Sequence, residues 1–465
     1  MNPVPIKLGF VPIRRNVFDV PTATQQKYAV EKRVRELAGT AEIIDCNDLA
    51  VDGLIFEPSS VDKVVAKMRA AGIDGLFLPH CNFGTEEVAV RIAMQLRVPV
   101  LLWGCRDPEP VPDKIRLQDT QCGLFATSKG LSRAHVPFSY IVNCHVGEER
   151  FAKGFDEFLR TVSIVRAMRK KMRIMQVGAR PRPFYSVMYD ESDLFSKFGM
   201  EIVPQPMHDI AKRIDLLMKD VPAGYAAYRA SVRERIDVSK TPKDIFEKTT
   251  AYAYAVKQFA DENDCHAVAA ECWTMVPQVL GIRPCFINGE LTAMGLPVSC
   301  ETDVLGAVTS LLVQAAGMDQ ETTFFADLTI RHPSNDNAEL LWHCGPFPHA
   351  LMAPDVKGYV NEIGKPNWRL KDGNITVCRF DGMDGKYQLF VGEGKSCPGP
   401  ETESTYVWFE TDNWEHWEER LIFGPYIHHV TGIYGQYGRV FAEAVKYMPN
   451  VTLDAMEAYG LSLGK

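Results

Sequence analysis

Residues 75–104 read GLFLPHCNFGTEEVAVRIAMQLRVPVLLWG, two apolar runs on either side of a helix-like segment. The first six residues are almost all apolar, with no alternating polar face. Thr85 is placed to cap a helix whose first turn carries Glu86 and Glu87, where acidic groups favour the helix dipole. The helix is expected over 86–96. A second apolar run, VPVLLWG at 98–104, follows at once. Two apolar strands joined by a helix describe a parallel sheet covered on both faces.

The same rhythm extends outward in both directions. Toward the N-terminus lie a strand at 7–12 (KLGFVP), a helix at 25–38, a strand at 42–46 (EIIDC) and a helix at 61–71. Ser59 or Ser60 can open that last helix; Val61, Val64, Val65 and Met68 share one face, and Gly72 stops it. Beyond a helix at 148–169 the alternation restarts, with strands expected at 173–178, 201–203, 266–271, 298–301 and 324–330. Helices are expected at 190–198 and between 211 and 263. From about 346 the texture changes: Gly and Pro become frequent, and short runs appear at 375–380 (ITVCRF), 387–392 (YQLFVG) and 405–410 (TYVWFE). These suit an antiparallel sheet or barrel. A helix at 438–448 closes the chain. The expected organisation is therefore α/β, with two Rossmann-like domains at 1–170 and 171–345 and a C-terminal, barrel-like antiparallel β domain at 346–465.

The 465 residues are 46% hydrophobic and 24% charged, an ordinary globular balance. With 59 acidic and 51 basic residues the formal net charge is −8, which argues against a nucleic-acid surface. The one dense basic run, RAMRKKMR at 166–173, reads as the solvated end of a helix. Twelve cysteines are scattered without a CxxC, several in apolar contexts such as Cys46, Cys105 and Cys272. Reduced thiols in a cytoplasmic protein are expected. The start MNPVPIKLGFVPIRR lacks a basic segment followed by an apolar core, so no signal peptide is expected, and no run of 18 apolar residues predicts a membrane span.

Chemistry concentrates between 271 and 343. Glu301 ends the segment LPVSC and precedes a helix starting near Asp303; Asp327 interrupts FFA-LTI; His343 sits in LLWHC. A carboxylate in an apolar strand costs several kcal/mol of desolvation unless its charge is compensated. A divalent cation compensates two carboxylates and an imidazole together. Singly, each has a bland reading: Glu301 in the first turn of a helix, Asp327 turned outward on an edge strand, His343 as a hydrogen-bonded core histidine. Three such residues close in sequence would need three separate explanations. Downstream, His428 and His429 are adjacent in an extended segment, where neighbours point to opposite faces, so one can enter a site while the other faces solvent or stands behind the first.

The order Glu301, Asp327, His343, His428-His429 resembles the L-fucose isomerase and L-arabinose isomerase superfamily. The pieces that carry the likeness are CETDVLGA, FFADLTI, the WHC segment and IHHVTG. KLGFVPIRRNVF and residues 177–199 resemble the less characterised, fucose isomerase-like members. The resemblance implies a Mn²⁺-type site made by Glu301, Asp327 and His429, with His343 as a fourth ligand. It also implies aldose–ketose isomerisation through a cis-enediol, with Glu301 and Asp327 in the acid–base roles, and a homo-oligomer, trimeric or hexameric. Cys300 and Cys344, next in sequence to Glu301 and His343, are expected to face away as packing.

Substrate contacts are expected from Arg14 and Arg15, which follow the first strand where α/β ligand sites lie and suit an anionic sugar substituent. Trp103, at the end of the fourth strand, joins them. Arg180 and Tyr185, in the RPRPFY turn with Arg182, are further candidates, and Trp273 offers a sugar-stacking face. The expected partner is a small sugar. A non-catalytic sugar-binding protein, or another enediolate metalloenzyme such as an epimerase or aldolase, is the alternative.

Overall fold

The computed structural model describes residues 5–110, 116–170, 172–318 and 320–459; residues 1–4 and Lys171, parts of the N-terminal stretch and the basic run read above, lie outside them. The chain forms two compact units, Met1–Arg166 with Glu443–Pro449, and Ala167–Ala442 with Asn450–Lys465. No helix among the described residues is long and apolar enough to cross a membrane.

The first unit is a five-stranded parallel sheet in the order β2-β1-β3-β4-β5, made by β1 (Lys7–Phe10), β2 (Glu42–Ile44), β3 (Gly75–His80), β4 (Val100–Gly104) and β5 (Ser139–Tyr140). The strand–helix–strand reading of 75–104 holds: β3 and β4 are buried at every residue, and the helix Glu86–Leu96 joins them. The helix Val61–Ala71 buries Val61, Val64, Val65 and Met68 and ends at left-handed Gly72, as its pattern requires. The segment Glu443–Pro449 completes this unit from far along the chain. Ser139 Oγ donates to Glu443 at 2.8 Å, and the Tyr447 hydroxyl donates to the Val100 carbonyl at 3.0 Å.

The second unit holds a four-stranded parallel sheet, β7-β6-β8-β9, from β6 (Arg173–Val177), β7 (Glu201–Gln205), β8 (Ala267–Ala270) and β9 (Val298–Cys300). The same unit holds β10 (Thr323–His332), β11 (Asn335–His343), β12 (Tyr359–Val360), β13 (Pro366–Arg369), β14 (Asn374–Met383), β15 (Lys386–Ser396), β16 (Thr405–Glu410), β17 (His429–Tyr434) and β18 (Val451–Ala455). Six of these run β16-β11-β10-β17-β14-β15, and the β15–β16 pairing closes them into an antiparallel barrel. The fold class is thus two α/β sheets and a C-terminal antiparallel barrel.

One strand pairs differently from its sequence expectation. The run at 324–330 reads as a further strand of the central α/β sheet, but β10 pairs with β11 and β17 and belongs to the barrel. An apolar strand carries no label for its partner; the antiparallel hairpin with β11 decides it.

Candidate active site

The cluster of Glu301, Asp327, His343 and His429 lies in the second unit, where the C-terminal edge of its parallel sheet meets barrel strands β10, β11 and β17. Strand β9 ends at Cys300, and the next two residues, Glu301 and Thr302, are both left-handed, with φ of 56° and 54°. Consecutive non-glycine residues in that region are strained, and such strain persists where surrounding structure enforces it. The kink turns the chain off the sheet edge, where ligands bind in open α/β sheets. Asp303 then caps the helix Val304–Ala316, accepting from the Gly306 N–H at 2.9 Å.

Asp327 and His429 are direct cross-strand partners of β10 and β17, so their side chains share a face. His343 is the last residue of β11. His429 Nε2 lies 3.0 Å from Glu301 Oε2 and 3.4 Å from Asp327 Oδ1, and His343 Nε2 lies 3.6 Å from Asp327 Oδ1. Glu301, His343 and His429 place ligand-type atoms within 4.8 Å of one another, as do Asp327, His428 and His429. His429 is fully buried and His428 exposed, yet their rings lie only 4.6 Å apart, so the adjacent pair does not part to opposite faces as expected. The Phe325 ring packs on His429 at 4.9 Å and on His343 at 5.8 Å, walling the cluster on its apolar side.

The sequence reading missed what lies behind His429. Asp303 Oδ2 accepts from His429 Nδ1 at 2.9 Å, and Asp303 is also paired with Arg379 of β14, whose Nε donates to Asp381 at 2.8 Å. Asp303, Arg379 and Asp381 are all nearly or fully buried. In the sequence Asp303 only marks where a helix starts, and only the folded barrel brings Arg379 to it.

This network sets the electrostatics. Burial would raise the Asp303 carboxyl, but the Arg379 charge and the His429 hydrogen bond outweigh it and hold it well below the carboxylate range. Burial likewise would raise Glu301, yet the close approach of His429 and the charges of His343 and His429 hold it below its ordinary value. Burial works against a charge on His429, whereas Asp303, Glu301 and Asp327 raise it to about 9. Burial opposes a charge on His343 too, while Asp327, Cys344 and Glu301 favour a proton on that ring.

Buried Asp327 Oδ1, His343 Nε2 and His429 Nε2 have no hydrogen-bond partner among the described residues. Buried polar atoms are normally satisfied, and two carboxylates with two imidazoles form an oxygen- and nitrogen-donor set. These residues fit a hard or borderline divalent cation. Cys344 does not face away as expected: its Sγ lies 3.3 Å from His343 Nδ1.

The other candidates divide by unit. In the second unit, Arg180 donates to the carbonyls of Pro181, Arg182 and Phe184, and so is committed to shaping its own turn. That turn sets the Phe184 ring 5.9 Å from His428 and 5.5 Å from His429. Trp273, 49% exposed, meets Phe184 edge-on at 6.1 Å, and Tyr185 is 69% exposed. Arg182 is exposed and forms no ion pair among the described residues. In the first unit, Arg14 is buried over the Phe56 ring at 3.7 Å, and Arg15 stacks over Phe83 at 4.1 Å. Trp103 is a core residue there: it is buried, edge-on to Phe151 at 4.8 Å, with its Nε1 donating to Cys144 Sγ.

Comparison with known proteins agrees with this architecture. Residues 9–169 match the family model described as the fucose/sulfoquinovose isomerase N-terminal domain. Sulfoquinovose isomerase of Priestia aryabhattai is 22% identical over 396 residues, covering 83% of this chain and 84% of that protein. The sulfoquinovose isomerase of Alkalicoccus urumqiensis is also 22% identical, over 84% of this chain and 86% of its own length. That of Clostridium sp. (strain MSTE9) is 21% identical over 85% and 86%. The chain is thus similar over most of its length to fucose/sulfoquinovose-type isomerases, which supports an intramolecular oxidoreductase of the sugar isomerase class.

Proposed function

We propose that this protein interconverts an aldose and a ketose that carry a sulfonate group, with a divalent cation, Mn²⁺ by preference, held by Glu301, Asp327 and His429. The observation that carries the reading is the convergence of these donors, with His343, on buried atoms that lack partners. The sulfonated substrate follows from the curated relatives, all named for sulfoquinovose and aligned over most of their length. A cation bound there supplies Lewis acidity toward the sugar's carbonyl and neighbouring hydroxyl oxygens. The chain's own groups do the rest. One of the two carboxylates takes the carbon-bound proton and returns it to the adjacent carbon, and the other moves the oxygen-bound proton. Exposed Arg182 is the cation of the Phe184 turn open to a sulfonate, which a guanidinium binds in a bidentate fork. A homo-oligomer in the cytoplasm, implied by the resemblance and by the reduced thiols, belongs to the same reading.

The test is turnover of sulfoquinovose in D₂O, followed by NMR. The expected result is a ketose product carrying solvent deuterium at the carbon that exchanged its proton, loss of turnover with EDTA, and recovery with Mn²⁺. Full activity in a preparation shown metal-free by elemental analysis removes the cation from the reading. Turnover of neutral aldoses alone removes the sulfonate.

A further inference from the structure

His343 and His429 share one property: each has a buried Nε2 with no hydrogen-bond partner among the described residues. Their other ring nitrogens are bound in opposite senses. His429 Nδ1 lies 2.9 Å from Asp303 Oδ2, and an ionised carboxylate only accepts. Nδ1 therefore carries a proton, and in the neutral ring Nε2 presents a lone pair, the tautomer a metal ligand needs. His343 Nδ1 lies 2.9 Å from the main-chain nitrogen of Cys344, which only donates. The Cys344 thiol, 3.3 Å away, approaches the same nitrogen. Here Nδ1 is the acceptor, so the ring's proton sits on Nε2. A proton on Nδ1 would set two N–H groups head to head. The Nε2 proton is also unspent, because Asp327 Oδ1 at 3.6 Å is beyond hydrogen-bond distance.

We propose that His343 is the hydrogen-bond donor of this site and not one of its ligands, presenting Nε2–H to the sugar oxygen on which charge grows as the carbon-bound proton leaves. The proposal rests on reading the site as an isomerase centre. A donor fixed in advance, in a site walled by Phe325, stabilises such an oxyanion without reorganising during the reaction. The backbone of Cys344 fixes it, so the orientation does not depend on a mobile side chain.

The experiment uses the full-length protein with Mn²⁺ as the probe, binding being read by electron paramagnetic resonance and kcat on the sugar separately. His429→Gln is expected to weaken Mn²⁺ binding by about 100-fold or more, and His343→Phe to leave it within about threefold. His343→Phe should lower kcat by about 10²–10³-fold, the usual cost of one oxyanion donor, and His343→Gln, which keeps an N–H, should recover part of it. Nitrogen-15 NMR of histidine-labelled wild type should place the His343 proton on Nε2. A loss of Mn²⁺ affinity in His343→Phe as large as in His429→Gln overturns the proposal, as does an unchanged kcat in His343→Phe or a neutral ring protonated on Nδ1. If wild type neither binds Mn²⁺ nor converts sugar, the isomerase reading itself has failed, while the NMR tautomer still decides the state of His343 by itself.

Discussion

At the residue scale, the buried ion network behind His429 governs how this site responds to pH. His429 has its folded pKa raised from an ordinary 6.5 to about 9 by Asp303, Glu301 and Asp327. A raised value means the charged form is favoured on folding. Its contribution is fully present below the unfolded value and is lost as pH rises through the folded one. Cation-free protein should therefore lose stability between pH 6.5 and 9, by about 3 kcal/mol at most from this group. Urea denaturation after EDTA treatment would show it, and His429→Gln should flatten that part of the profile. Asp303 has the opposite sign. Its depressed value gives stability present above the ordinary carboxylate range and lost only in strong acid. Asp303→Ala leaves buried Arg379 with Asp381 alone, and breaking one partner of such a network costs about 3–5 kcal/mol. A variant with wild-type stability would show that water reaches Arg379.

At the element scale, the helix Val304–Ala316 ties the parallel sheet to the barrel and illustrates packing overruling propensity. Gly306 stands in its first turn, where Ala would gain about 1 kcal/mol of helix propensity. A Cβ there would meet Asp303 Oδ2 at 2.5 Å and Phe325 Cε2 at 2.7 Å. Overpacking typically costs about 1–3 kcal/mol, so Gly306→Ala should destabilise on balance. It should also disturb the His429 side chain through both neighbours. The readout is a lowered Tm together with weakened Mn²⁺ binding; a raised Tm would mean that Phe325 yields without cost. The neighbouring kink at Glu301 and Thr302 is legible only in the backbone, since nothing in the letters ET announces two left-handed residues.

At the scale of the whole molecule, the first unit is finished by a segment more than 300 residues beyond the strand it touches. The Tyr447 hydroxyl donates to Val100 O and lies 3.0 Å from Ser139 Oγ, so β4 and β5 both depend on it. Removing a buried donor leaves its partners unsatisfied at about 1–3 kcal/mol. Tyr447→Phe should therefore speed amide hydrogen exchange in β4 and β5 while leaving β10 and β17 protected as before. Equal loosening of all four strands would show that the effect is not local to the first unit.

The parallel α/β character is legible in the letters alone, because strands with no polar face must be covered on both sides. So is the existence of a C-terminal antiparallel region, because short alternating runs and frequent glycine exclude long helices. The letters also single out Glu301, Asp327, His343 and the histidine pair, because charge inside an apolar strand demands an explanation from local sequence alone. Strand pairing came from the fold, which moved the run at 324–330 into the barrel and set Asp327 opposite His429. Only the fold brought Arg379 to Asp303, and only the fold turned the Cys344 N–H onto His343. Partners far apart in sequence leave no periodicity to read, and the tautomer of a histidine is fixed by whichever donor or acceptor the fold sets beside it.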